Sequence, residues 1–147
     1  MKKTFIVFCL IQFVAISSLF GQTWKFRSGE EDWGDTLYAS QKSIAGETLT
    51  VFTEKGNYQP NLLISPYQSA YGDSFTVDIT IDGGKAHRLR GSRSDYFGDV
   101  QVEGVTIKML KNMAAGKNVI IIINKSEALR FGLEGSSKAL NRLGRKL

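Results

Sequence analysis

The chain has 147 residues, with 19 Lys+Arg against 14 Asp+Glu, one His, one Cys, 42% apolar and 22% charged residues. That length fits one domain, and an aromatic content of 11% fits a packed core rather than a disordered chain. One cysteine and one histidine exclude zinc ribbons, disulfide scaffolds and thiol catalysis.

Lys2 and Lys3 precede an apolar run over 5–16, then Ser17, Ser18 and Gly21. This is the layout of a bacterial secretory signal peptide, so 1–21 is expected to be removed before Gln22. Gln12 interrupts the run, which falls short of the ~20 residues a spanning helix needs. Cys9 leaves with the signal. The remaining 22–147 is expected to form a single β-sandwich-like domain, periplasmic or secreted and not transmembrane once the signal is gone.

Trp24 to Arg27 alternates apolar and polar residues and reads as a first strand. The polar stretch 28–35 reads as a loop, and 36–41 as a second strand. Residues 47–53 are rich in β-branched side chains, with Leu49 and Val51 on one face; 61–65 is another short strand. Over 74–82, Phe75, Val77, Ile79 and Ile81 point one way and Thr76, Asp78, Thr80 and Asp82 the other, the period of a half-buried strand. Asp82, Gly83 and Gly84 accept positive φ, which predicts a tight turn and a return strand from Lys85 to Arg90.

Residues 102–115 fit both a helical and a strand pattern, and the helix is favoured, with Val105, Met109, Leu110 and Met113 buried and Lys108 and Lys111 outside, ending at Gly116. The apolar run 118–124 predicts a central strand covered on both faces. Leu129, Phe131 and Leu133 alternate in a last strand. Ser136 or Ser137 opens a short helix with Ala139, Leu140 and Leu143 on one side. The expected fold is mainly β: an antiparallel β-sandwich or curled sheet of seven to eight strands with one or two short helices.

Charge is unevenly placed. Residues 22–84 sum to −5 and residues 85–147 to +8. This asymmetry fits either two halves that attract one another or a basic face for an anionic partner. The densest cluster is Lys85, Arg88, Arg90 and Arg93, followed by Tyr96 and Phe97, and it is the candidate binding site. The competing reading pairs these cations with Asp78 and Asp82 across the hairpin.

His87 lacks a glycine-flanked serine elbow to serve, and Asp73, Asp78 and Asp82 do not form a calcium loop, so no catalytic residue, metal site or cofactor is assigned. The aromatic residues Tyr58, Tyr67, Tyr71, Tyr96 and Phe97 fall in loops. They read as covers for the open ends of the fold or as a contact surface.

Trp24, Tyr38-Ala39-Ser40, Leu49-Thr50-Val51, Ile81-Asp82-Gly83-Gly84 and the stretch 131–140 together resemble two groups of small exported bacterial proteins. These are the invasion-associated locus B proteins and the periplasmic accessory proteins of type VI secretion. Members often carry two cysteines, where this chain has Phe52 and Thr53 and, at its end, 144–147. The resemblance implies an exported β-sandwich that acts through contacts, with no family active site.

The functional expectation is a non-enzymatic binding or accessory protein of the bacterial envelope with a protein partner and no nucleic acid. Two alternatives stand beside it. One is an inhibitor or immunity protein against a secreted enzyme. The other is a polyanion or membrane-surface binder that uses the basic C-terminal half.

Overall fold

The alternation visible along the chain becomes the register of one antiparallel sheet. The computed structural model describes residues 24–31, 34–43, 46–53, 59–67, 72–94 and 99–145, and of 29–31, 34–38 and 144–145 the backbone alone. The strands are β1 (Lys25–Glu31), β2 (Gly34–Lys42), β3 (Thr48–Thr53), β4 (Asn61–Ser65), β5 (Ser74–Ile81), β6 (His87–Arg93), β7 (Val100–Glu103), β8 (Asn118–Ile123) and β9 (Leu129–Gly132). Helix α1 (Ile107–Ala115) lies between β7 and β8, and α2 (Ser136–Arg145) follows β9. The expected signal segment 1–21 and the aromatics Tyr58, Tyr71, Tyr96 and Phe97 lie outside the described residues.

The strand order is β1-β2-β3-β4-β7-β6-β5-β8-β9. The sheet curls into a half-barrel with the two helices on its concave side. Trp24, immediately before β1, donates its indole Nε1–H to the carbonyl of Gly132 on β9 at 2.9 Å, so the first and last strands meet at one end. Leu49, Val51, Leu62, Ile64, Val77, Ile79 and Ile121 point inward and are fully buried.

Helix α1 starts where Thr106 Oγ1 accepts the amide of Met109, and ends where the Gly116 amide donates to the Met113 carbonyl. It buries Met109, Leu110 and Met113, while α2 buries Ala139, Leu140 and Leu143. With 9 and 10 residues, the helices are shorter than the ~12–15 that isolated helices need, so packing holds them. Helix α2 lies against α1 and against β1, β2 and β3, and Ser136 Oγ donates to the Met113 carbonyl at 3.3 Å.

Four expectations are revised. The loop expected over 28–35 is mostly strand, because the backbones of β1 and β2 pair continuously from Lys25↔Ser40 to Glu31↔Gly34 whatever their side chains. Residues 100–103, partly read as helix, form β7, which fills the gap between β4 and β6; Gly104 (φ 80°) and the Thr106 cap delay the helix to Ile107. That insertion brings the sheet to nine strands.

The turn at Asp82 (φ 49°) and Gly83 (φ 69°) forms as expected, but β6 begins at His87, so Lys85 precedes the strand. Strand β8 is covered on its concave face alone. Val119, Ile121 and Ile123 are buried, whereas Ile120 and Ile122 point outward and are half-buried, because both helices pack on the other side.

Candidate functional site

The β6 cations inherit their directions from the pairing of β5 with β6. Asp78 stands opposite Arg88 and Thr76 opposite Arg90, so both arginines project from the convex face, as their alternation predicts. Arg88 is held by two hydrogen bonds to one carboxylate, Nε to Asp78 Oδ1 at 2.8 Å and Nη2 to Asp78 Oδ2 at 3.1 Å. The Arg88 hydrogen bond holds the Asp78 carboxyl below its usual range, assisted by the Arg88 and Lys125 charges and opposed by desolvation. The same bond raises the Arg88 guanidinium above its ordinary value.

Arg90 is exposed, with Glu103 of β7 as its neighbour across the sheet. Arg93 has the opposite direction. Its guanidinium lies 5.3 Å from the centre of the buried Phe75 ring, and its Nε donates to the Gly72 carbonyl. A cation held over an aromatic face in this way is an anchor for the segment before β5. Tyr96 lies outside the described residues. The cluster seen in sequence is therefore divided: Arg88 and Arg90 on the convex face, Arg93 at one end of β6, Lys85 beyond the other.

Lys85 lines an open cavity of about 290 Å³ with Ile81, Asp82, Gly84, His87, Asn112, Ala115 and Gly116. This cavity is lined by the β5–β6 turn and the C-terminal end of α1, which touch beside it at Asp82 and Gly116. Asp82 is fixed there because its Oδ1 accepts the amides of Lys117 and Asn118 at 2.9 and 2.8 Å. Those bonds, Asn118 first, pull the Asp82 carboxyl below its usual range. His87 stands opposite Ile79 at the exposed end of the concave face. Asn112 and Gly116 join it only through tertiary packing, and no local sequence signal marks them.

Three further placements matter. Tyr67 is buried, and its hydroxyl is 2.9 Å from Ser126 Oγ, so this loop aromatic closes an end of the fold. Ile120 and Ile122 form an apolar strip on the convex face, next to Thr80 and Asp78 on β5, with Arg130 opposite Ile120 on β9. The solvent sides of the helices carry Lys108 and Lys111 on α1 and Lys138 and Arg142 on α2. Neither helix contains an acidic residue. Among the described residues no group of three His, Cys, Asp or Glu is placed to hold a metal ion, and no helix is long and apolar enough to cross a membrane.

Compared with protein-family models, curated proteins and solved structures, the chain matches none of them.

Proposed function

We propose that this chain is an exported, non-enzymatic binding protein of the bacterial envelope that acts by contact with another envelope protein. The observation that carries this reading is the outward pair Ile120 and Ile122, which no described element covers, with Arg130 beside it on β9 and the Arg88–Asp78 pair on β6 and β5 at its other side. An apolar centre bordered by arginine is the composition that protein interfaces favour. Export is supported by Lys2, Lys3 and the apolar run 5–16, and by the resemblance to exported bacterial proteins.

The test is retention of envelope proteins on the immobilised chain beginning at Gln22, washed at high salt, for the native sequence and for Ile120→Lys/Ile122→Lys. Both substitutions lie on the convex face and leave the concave core intact. The expected result is one protein retained by the native chain and lost from the double variant. Equal retention by both chains, or none by either, overturns the reading. A retained enzyme whose turnover falls on binding would redefine the partner as the target of an inhibitor.

A further inference from the structure

We propose that the solvent side of the α1–α2 layer docks on a bilayer surface bearing anionic phospholipid. This second surface is separate from the convex face of β8, and its argument does not depend on what binds there.

The first observation is charge without counter-charge. Helix α1 exposes Lys108 and Lys111, three positions apart on one face, and α2 exposes Lys138 and Arg142, four apart on one face. Like charges at those spacings repel. Neither helix contains an acidic residue, and among the described residues no carboxylate pairs with any of the four. Arg142 lies with its guanidinium 5.7 Å from the centre of the Phe26 ring, its charge still exposed.

The second observation is where the charges sit. Lys108 falls in the first turn of α1 and Lys138 in the first turn of α2, the ends at which the helix dipole favours a carboxylate. The cations therefore work against both helices in the isolated protein. An anionic surface reverses that balance, since each basic side chain brought to such a surface gains attraction that falls off within a Debye length.

The third observation separates a lipid surface from a purely ionic polymer. Ile107 is 42% exposed and is the one exposed large apolar side chain among the described residues. It occupies the solvent face of α1 beside Lys108 and Lys111. A bulky apolar side chain among lysines is the arrangement by which a helix lying at a membrane interface places its apolar group below the headgroups and its cations among them. A soluble polyanion has no use for Ile107.

Sedimentation with vesicles of phosphatidylcholine, with and without phosphatidylglycerol, tests this on the chain beginning at Gln22, which holds every described residue. Binding is expected only to the phosphatidylglycerol vesicles, and is expected to weaken as salt rises. Lys108→Glu/Lys111→Glu should reduce it by roughly tenfold or more. The substitution at Lys108 falls in the first turn, where the helix dipole favours a carboxylate, and that at Lys111 replaces one good helix former by another on the solvent side, so an unchanged far-ultraviolet spectrum is expected. Lys138→Glu provides the same reading from the second helix. Ile107→Ser should weaken binding to vesicles and leave any binding to soluble polyglutamate unchanged. Arg130→Glu, on the convex face, should leave vesicle binding as it was. The proposal is overturned by no binding at low salt, by equal binding to both vesicle types, by equal losses from Arg130→Glu and the helix variants, or by an Ile107→Ser chain that binds vesicles as the native chain does.

Discussion

The two concentrations of positive charge in this protein, along β6 and over the α1–α2 layer, are built in opposite ways. On β6 the fold supplies partners: Asp78 takes Arg88 in two hydrogen bonds, and the Phe75 ring and Gly72 carbonyl take Arg93. On the helices Lys108, Lys111 and Lys138 face solvent with no carboxylate in either helix. The −5 half of the chain thus meets the +8 half at β5 and β6, where Asp78 of the first half pairs with Arg88 of the second. Part of the asymmetry is internal attraction. On the two helices the positive charge is displayed outward instead, and charge counting alone does not tell the two apart.

The comparison breaks most severely if the helical layer loses its seat. Leu143 is fully buried on α2, the helix that lies against β1, β2 and β3. Leu143→Ala is expected to lower unfolding free energy by about 2–5 kcal/mol in urea titration, with vesicle binding lost in parallel as the layer loosens. An undiminished stability would mean that α2 is not seated as described.

A second substitution attacks the β6 side. A Cβ on Gly91 would come within 2.9 Å of Val77 Cγ2 and 3.1 Å of Val100 Cγ1, between two buried β-branched side chains. Gly91→Ala is expected to cost about 1–3 kcal/mol, because neither valine can rotate away without disturbing the concave core. Thermal denaturation would show it, and a neutral result would place β6 further from β5 and β7 than the register requires.

The smallest effect sharpens the contrast without damaging the fold. Asp78 and Asp82 both titrate below their ordinary range in the folded protein. Their contribution to stability is therefore present above the unfolded carboxylate value of about 3.9, and is lost as pH falls through the lower folded values. Asp78→Asn should flatten this acid limb in stability measured between neutral pH and about pH 2, and should leave Arg88 without its charged partner. Neutralisation of the helix lysines, as in Lys108→Gln/Lys111→Gln, should leave the same limb in place, since it removes no carboxylate partner and adds no acidic group.

Much of this architecture was legible from local pattern. The alternation over β3 and β5 named the buried faces, and the Asp82–Gly83 pair named the hairpin turn, because both depend on residues adjacent in sequence. The stripe Ala139, Leu140 and Leu143 of α2 was equally clear, whereas 102–115 fitted a strand as well as a helix, and Val105 of its expected helical stripe precedes the Thr106 cap. The candidate site was legible only in part. Alternation placed Arg88 and Arg90 on one face, yet it could not show that Arg93 turns to Phe75 or that Lys85 falls outside β6. The four isoleucines of β8 read alike in sequence, and only the position of the helices distinguishes the buried Ile121 and Ile123 from the outward Ile120 and Ile122.

By itself, then, the sequence determined the faces of the alternating strands, the hairpin, the α2 stripe and the uneven charge, since each rests on periodicity or composition within a few residues. The tertiary structure alone decided the insertion of β7 between β4 and β6, the one-sided cover of β8, and which cations find partners. Those outcomes depend on contacts between distant residues, as in the indole bond from Trp24 to Gly132, 108 positions apart, that joins the two ends of the sheet. Short patterns record which side of an element is apolar; what comes to lie against that side is settled when the chain closes on itself.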